Sequence, residues 1–355
     1  MGRIFPDKNP CHPLNPCPYF ELVNIPIMST HVHFLHAPSE FFYVFTGEEK
    51  ALLEQQLDPD VTVTWGEPVP ETAVILVGGR PTREQLSGSA VRALIIPWAG
   101  LPGETRTLLA DFPHVAVHNL HHNAAPVAET AVTLLLAAAK LTIPYDQALR
   151  QGDWRPRYSP RKAVLLEGKT ALILGYGAIG QRVAQLCLAL GMTVLATKRN
   201  VEDGETAVPL YPPSALPELL PQAHALLICL PFTEETDGLI GARELALLPP
   251  GAVLVNIGRG KIVEEKALYE ALRDGRLHAA GLDVWYNYPA DENGRAHTLP
   301  ATYPFHELDN VVMSPHRGGQ TLDSDRLRMS HLANLLNHAA RGEAMPNRVE
   351  LGKGY

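Results

Sequence analysis

The sequence predicts an α/β protein built from two doubly wound parallel-sheet domains with a cleft between them. Three observations carry that expectation. The chain has 355 residues, enough for two domains that each bury a core. Short β-rich runs alternate with helical stretches and fall into two sets, separated by a long helical segment. Most of the runs are continuously apolar rather than alternating, the pattern of strands covered on both faces, as the strands of parallel sheets are.

The first 27 residues stand apart. KNPCHPLNPCP within them is proline-rich and aperiodic, and it lacks the apolar core of a secretion signal. Residues 1–27 are read as an irregular N-terminal arm or as a non-native extension, with Met28 the original start in the second case. From there HVHFL, VTVTW, AVILVGG, ALIIPW and VAVHN make the first set of strands, ending at Asn119. ALILG, TVLAT, ALLICL, AVLVNI, AAGLDVW and NVVMSP make the second, from Ala171 to Pro315. Between them Ala125 to Trp154 reads as helix, apolar nearly all round as far as Leu141. Such a helix is expected to be buried between domains or in a subunit interface. Asp323 to Arg341 reads as a closing helix, whose return to the first unit would make that unit discontinuous.

Composition narrows the function classes. Hydrophobic residues are 46% and charged residues 19% of the chain, ordinary for a soluble globular protein. The formal charge is −8 and no block of Lys and Arg occurs, which argues against nucleic acid or an anionic membrane as partner. The longest aliphatic run, Ala131 to Ala139, is about half of the ~20 residues a bilayer needs. Cys187 and Cys229 lie in apolar segments, where cysteine acts as a small hydrophobe, and Cys11 and Cys17 do not have zinc spacing. No metal is expected, and a reduced, cytoplasmic protein fits best.

Ala171 to Gly180, ALILGYGAIG, is a strand running into Gly-x-Gly-x-x-Gly and then a helix. Gly175 allows the tight turn, Gly177 lets backbone approach a pyrophosphate, and Gly180 lets helix pack on strand. Ala178 and Ile179 open the helix whose N-terminus would face the phosphates. The motif alone is weak evidence; with the strand before it and the strand Met192 to Thr197 after it, it predicts a dinucleotide site. A carboxylate that accepts from the adenosine ribose usually ends that next strand. Here Lys198 and Arg199 stand there, and they would attract a 2′-phosphate. The expected cofactor is NADP or NAD, with NADP favoured.

Ligands of doubly wound sheets bind at the carboxyl ends of the strands. Those ends carry Gly258-Arg259-Gly260, Asp283 and Ser314-Pro-His316-Arg-Gly-Gly319. If the strands are parallel, Arg259, Asp283 and His316 share the edge that bears the glycine turn. The set suits hydride transfer to a carbonyl: the planar fork of arginine holds a substrate carboxylate, and histidine protonates the new alkoxide near neutral pH. Asp283 would accept from the nicotinamide carboxamide.

These segments resemble the D-2-hydroxyacid dehydrogenase family, which includes phosphoglycerate, glyoxylate/hydroxypyruvate and formate dehydrogenases. VNIGRGKIVEEKAL (255–268), LPFTEET (230–236), GLDVW (281–285) and SPHRGG (314–319) match its motifs in order. VAET (127–130) resembles its Val-Ala-Glu helix start, and VELGKGY its C-terminus. The resemblance runs from Met28 to Tyr355. It implies two Rossmann-like domains, the cofactor domain inserted in the other, and usually a homodimer. The boundaries so read are 28–124 plus 317–355 for the substrate domain and 125–316 for the dinucleotide domain. It further implies Arg259 as substrate-binding arginine, His316 as catalytic acid/base, and Pro231, Thr236 and Gly258 among the cofactor contacts. PWAGLPG (97–103) resembles the loop whose backbone amides take the substrate carboxylate, at Trp98, Ala99 and Gly100. Asn123 stands where formate dehydrogenases carry a substrate asparagine. His121 and His122 are candidates to line the cleft, and His31, His33 and His36 invite a metal reading that spacing alone does not support.

One departure is local. The family's catalytic histidine is normally backed by a glutamate, and that position is Tyr288 here. A phenol, with a reference pKa near ~10, stays neutral and still hydrogen-bonds an imidazole. Tyr288 is therefore expected to orient His316 without charging it, completing a catalytic set with Arg259; Asp291 or Glu292 is the alternative partner. In LDVWYNYP (282–289), Trp285 is expected to pack and the cluster to wall the active site. The best reading is a reductase of a 2-keto acid to the D-2-hydroxy acid. Its rivals are a formate-like dehydrogenase of a small anion and a non-catalytic dinucleotide-sensing protein.

Overall fold

The computed structural model describes residues 29–36, 45–87, 90–201 and 206–352. The expectations for residues 1–27, with Cys11 and Cys17, lie outside them. Two compact units divide the chain. The first takes the described residues up to 97 with 101–120 and 329–351; the second takes 98–100, 121–328 and 352.

In the first unit β1 (Thr30–Phe34), α1 (Gly47–Glu54), β2 (Val61–Trp65), β3 (Ile75–Val77), α2 (Arg83–Leu86), β4 (Ala93–Ile96), α3 (Gly103–Leu109) and β5 (Ala116–Asn119) follow in order. The five strands form one parallel sheet, β2-β1-β3-β4-β5. Helix α1 starts at a capping box. The Thr46 hydroxyl accepts from the Glu49 N–H at 3.2 Å, and the Glu49 carboxylate accepts from the Thr46 N–H at 3.0 Å.

The second unit begins with α4 (Ala124–Lys140) and α5 (Thr142–Arg150). It continues with β6 (Thr170–Leu174), α6 (Ala178–Ala189), β7 (Thr193–Thr197), β8 (Leu210–Tyr211), α7 (Leu216–Leu219), β9 (Ala225–Ile228) and α8 (Ala242–Leu247). Then come β10 (Ala252–Asn256), α9 (Glu265–Arg273), β11 (Leu277–Leu282) and β12 (Val311–Met313), before the last helix, α10 (Ser324–Ala340). Its parallel sheet has the order β12-β11-β10-β9-β6-β7-β8. From Met329 on, α10 packs Leu332, Leu335 and Leu336 with Val32, Phe34 and Ile75 of the first unit's core, so that unit is discontinuous in sequence.

The apolar runs have a direct structural cause, because both faces of the second sheet are core. Leu172, Leu174, Leu226, Ile228 and Leu254 point into one cluster, and Ala171, Ile173, Leu227, Val253 and Val255 into the other. Each buried Leu or Ile contributes about 1.5–3 kcal/mol. Helix α4 lies in the second cluster, where Val127, Ala131, Leu134, Leu135 and Ala138 pack with α6 residues Val183 and Ala184. Burial within its own unit thus accounts for much of its apolar sequence. The single helix expected beyond Lys140 is broken at Leu141, which adopts a left-handed φ of 55°. Among the described residues no single helix is long and apolar enough to cross a membrane.

Candidate active site

Strand β6 has β7 on one side and β9 on the other, so the strand order reverses beside it. Such a switch point leaves room for a ligand at the carboxyl edge, and the glycine turn lies there. Gly175 has φ +95°, and a Cβ on Gly180 would lie 2.0 Å from the Gly175 carbonyl oxygen. Only glycine lets α6 start that close to β6. Above Gly177, the N-cap of α6, the position of a Cβ is open space, and no side chain caps the helix. The N–H groups of its first turn, at Ala178 and Ile179, thus keep the open, electropositive end that a pyrophosphate needs.

Lys198 and Arg199 follow β7, both half-buried. Arg199 is ion-paired with Glu235 at 2.8 Å, a neighbour that the sequence reading did not foresee. The Thr236 hydroxyl is used within its own loop: it donates to the Pro231 carbonyl at 2.8 Å and accepts from the Thr233 N–H at 2.8 Å. Thr236 and Pro231 therefore shape the loop after β9. The Gly258 N–H donates to Asn256 Oδ1 at 3.0 Å.

Arg259 lies at the end of β10 and is exposed. A Cβ on Gly260 would sit 2.3 Å from the Trp285 carbonyl oxygen, so the Gly-Arg-Gly turn presses its backbone onto the segment after β11 and turns the arginine outward. The Arg259 Nη1 donates to the Gly258 carbonyl at 2.7 Å. Gly100, between half-buried Ala99 and Leu101, approaches its Nη2; a Cβ there would be 3.2 Å away. Trp98 and Ala99 are half-buried in the same loop.

His316 follows β12 with φ +58°, a left-handed backbone for a non-glycine residue. Its Nδ1 lies 3.0 Å from the Tyr288 hydroxyl. That hydroxyl also accepts from the Trp285 N–H at 3.1 Å. A phenol has one proton to give and lone pairs to accept with, so Tyr288 can donate to a bare Nδ1 or accept from a protonated one. The His316 pKa is lowered, first because the surrounding protein withdraws water from the ring and then because of the Arg259 charge; Asp283 opposes both. Burial raises the Tyr288 pKa, so the phenol is neutral. Asp291 accepts from the Gly294 N–H at 2.9 Å and Glu292 pairs with Arg295 at 2.8 Å, so both serve their own turn.

Asp283 is 3% exposed. Its Oδ1 accepts from the Ser314 hydroxyl and from the Arg317 N–H at 3.0 Å; its Oδ2 accepts from the Gly318 N–H at 3.0 Å. The carboxylate expected to meet the cofactor is thus already engaged by the loop that carries His316. Trp285 packs, 6% exposed, and its indole N–H donates to the Ser314 carbonyl at 2.8 Å.

Asn123 is the N-cap of α4 and makes no capping bond; its buried Oδ1 has no hydrogen-bond partner. Gly319 packs on it, with a Cβ position 3.3 Å from the Asn123 Cβ. His121 and His122 are both half-buried. In the first unit His31 and His33 bond threonines: His31 meets Thr72 at 2.7 Å and Thr64 at 2.8 Å, and His33 meets Thr64 at 2.9 Å. His36 is exposed.

Residues 132–318 match the family model described as D-isomer specific 2-hydroxyacid dehydrogenase, NAD binding domain. The glyoxylate reductase of Aeropyrum pernix is 40% identical over 233 residues, which are 62% of this chain and 65% of that protein. The D-3-phosphoglycerate dehydrogenase of Mycobacterium tuberculosis H37Rv is 32% identical over 296 residues, 81% of this chain and 52% of that protein. The matches thus span between about half and two thirds of those relatives' own length. Among solved structures, a D-isomer specific 2-hydroxyacid dehydrogenase from Xanthobacter autotrophicus Py2, in complex with NADPH and MES, superposes with a TM-score of 0.74. It is 25% identical, over 92% of this chain and 100% of that one. Fold and edge residues define a dinucleotide-binding α/β protein. The chain belongs to the D-isomer specific 2-hydroxyacid dehydrogenase family.

Proposed function

We propose that the protein is an NAD(P)-dependent reductase of a 2-keto acid. The observation that carries this reading is the His316–Tyr288 pair, 3.0 Å apart, on the same sheet edge as the exposed Arg259 and the glycine turn. The open N-terminus of α6, with the close-packed Gly180 beneath it, fits a dinucleotide. When bound, the cofactor supplies the hydride chemistry. Arg259 takes the substrate carboxylate in its planar fork, helped by backbone amides of Trp98, Ala99 and Gly100. His316, protonated, gives its Nε2 proton to the oxygen of the keto group and keeps the proton on Nδ1, from which the Tyr288 hydroxyl accepts a hydrogen bond. Asn123 Oδ1, lacking an internal donor, is assigned to a substrate or water hydrogen.

Lys198 and Arg199 favour NADP(H) over NAD(H), because both cations lie at the end of β7 where a ribose phosphate would come. We read the assembly as a homodimer. Helix α5 buries none of its residues, and Trp154 and Tyr158 after it are 61% and 80% exposed, an apolar surface that a second copy would cover. A reducing, cytoplasmic setting suits the free Cys187 and Cys229, whose thiols burial pushes up to about 12.

The test is a spectrophotometric screen of NADPH and NADH against glyoxylate, hydroxypyruvate, pyruvate, phenylpyruvate and longer keto acids, with formate and phosphite in the oxidising direction. Turnover of a keto acid that Arg259→Ala and His316→Ala abolish is expected. Wild-type turnover by either variant overturns the mechanism, no turnover leaves the sensing role, and formate oxidation alone selects the small-anion reading.

A further inference from the structure

We propose that Asp283 is a positioning residue whose carboxylate, seated on the backbone N–H groups of Arg317 and Gly318, holds His316 in its left-handed conformation with the ring against Tyr288. The catalytic consequence rests on the dehydrogenase reading; the conformational one does not.

A histidine at φ +58° persists only where the surroundings over-determine it. Consecutive N–H groups around a left-handed residue converge into a concavity that binds an anion. Here the anion comes from the chain itself. Asp283 takes the Arg317 N–H on Oδ1 and the Gly318 N–H on Oδ2, each at 3.0 Å, and the Ser314 hydroxyl closes the ring of donors from the other end of the loop. A carboxylate buried to 3% exposure is tolerated only with such donors. The fit is tight: a Cβ on Gly318 would lie 2.7 Å from Asp283 Oδ2. Thr130 of α4 donates to the Gly318 carbonyl at 3.2 Å, so the loop is also anchored from the helix side.

One octapeptide therefore grips one loop in three ways. Asp283 holds the Ser314 hydroxyl and the backbone N–H groups of Arg317 and Gly318, the Trp285 indole holds the Ser314 carbonyl, and Tyr288 holds the His316 ring. Oδ1 accepts two of these bonds and Oδ2 one, so the loop takes three of the about four acceptor sites of the carboxylate. The charged groups that face His316 are Arg259 and Asp283, with neutral Tyr288 on Nδ1. Losing the Asp283 charge therefore also lowers the His316 pKa.

The experiment compares Asp283→Asn and Gly318→Ala with wild type in the full chain. Asparagine keeps the shape but turns a donor toward an N–H group. Alanine keeps the charge and pushes it off the loop. Both should hold NADPH within about 3-fold of wild type by fluorescence titration, while kcat on the best keto acid falls about 10²-fold with KM little changed. Histidine NMR titration, assigned with His316→Gln, should show the His316 resonance displaced in both variants and its pKa lowered in Asp283→Asn. NADPH binding weakened about tenfold or more with kcat retained would assign Asp283 to the cofactor instead. Unmoved His316 resonances overturn the proposal outright. That NMR arm stands even if wild type reduces no keto acid, so failure of the dehydrogenase reading is told apart from failure of this one.

Discussion

Replacing Tyr288 by glutamate should move the pH dependence of keto-acid reduction by an amount the geometry sets. Below the His316 pKa the ring carries the proton it must give; above it, it does not. The wild-type kcat/KM for reduction should therefore be flat in acid and fall tenfold per pH unit above a pKa lower than the ordinary 6.5, the direction imposed by burial and Arg259. The Tyr288 oxygen is 3.0 Å from Nδ1. A glutamate reaches less far, leaving its charge ~5.5 Å from the ring, where the attraction is about 3 kcal/mol at an effective dielectric constant of ~20 and about 0.8 kcal/mol in bulk water. At ~1.36 kcal/mol per pKa unit, those limits bracket a rise of ~0.5–2 units. Tyr288 is 49% exposed, so the site is half wet and a rise of about 1 unit is expected. Tyr288→Phe adds no charge and removes the phenol's bonds to Nδ1 and to the Trp285 N–H. Its plateau should fall ~2–10-fold, the worth of one ordinary hydrogen bond, with the limb nearly in place. Initial rates between pH 4.5 and 9, followed by nicotinamide absorbance, separate the cases. The reasoning fails if Tyr288→Glu leaves the alkaline limb where it was, or if Tyr288→Phe matches wild type in both height and position.

Two further predictions concern the cofactor edge. Lys198→Ala combined with Arg199→Ala should weaken NADPH about 10–100-fold and NADH only slightly, as two charge-assisted contacts to one phosphate require; equal losses for both cofactors would refute the phosphate contact. Glu235→Gln removes the 2.8 Å ion pair to Arg199 and a negative charge beside the proposed phosphate contact. Because Glu235 is exposed, NADPH should tighten by no more than about 5-fold. Unchanged or weaker NADPH binding in a titration would show that the pair instead presents Arg199 correctly.

What the sequence discloses, and what it hides, follows from the range of the interactions. Strands of the second unit are readable because both their faces are core, so runs such as Ala171 to Leu174 are apolar throughout. Leu210–Tyr211 escapes notice as β8, since two residues carry no period. The break at Leu141 is equally silent: leucine is a poor left-handed residue, and tertiary packing overrides its preference. All-round apolarity told that α4 is buried but not against what. Arg259 and His316 could be found because strand ends and flanking glycines mark them locally. Tyr288 stood out only against a resemblance that supplies a carboxylate at its position. The Arg199–Glu235 pair and the Asp283–Ser314 bond join residues 36 and 31 positions apart, and no local pattern encodes such a meeting.

The difference between a phenol and a carboxylate at position 288 reaches beyond orientation. A carboxylate can only accept, so it commits Nδ1 to a proton and stabilises the imidazolium. The Tyr288 hydroxyl, with one lone pair taken by the Trp285 N–H, can meet Nδ1 with either its proton or its remaining lone pair. The ring is therefore held in place in both neutral tautomers, and its charge is set by burial and Arg259, which disfavour it, and by Asp283, which favours it. Those two charges differ in exposure: Arg259 faces solvent and is the proposed ligand of the substrate anion, while Asp283 is buried. A bound carboxylate would neutralise Arg259 and leave Asp283 opposed by burial alone. Substrate binding should then raise the His316 pKa, so that the proton needed for reduction is taken up with the keto acid. The pKa in kcat should accordingly exceed that in kcat/KM, and equal values in the two profiles would mean that Arg259 does not hold the substrate's charge.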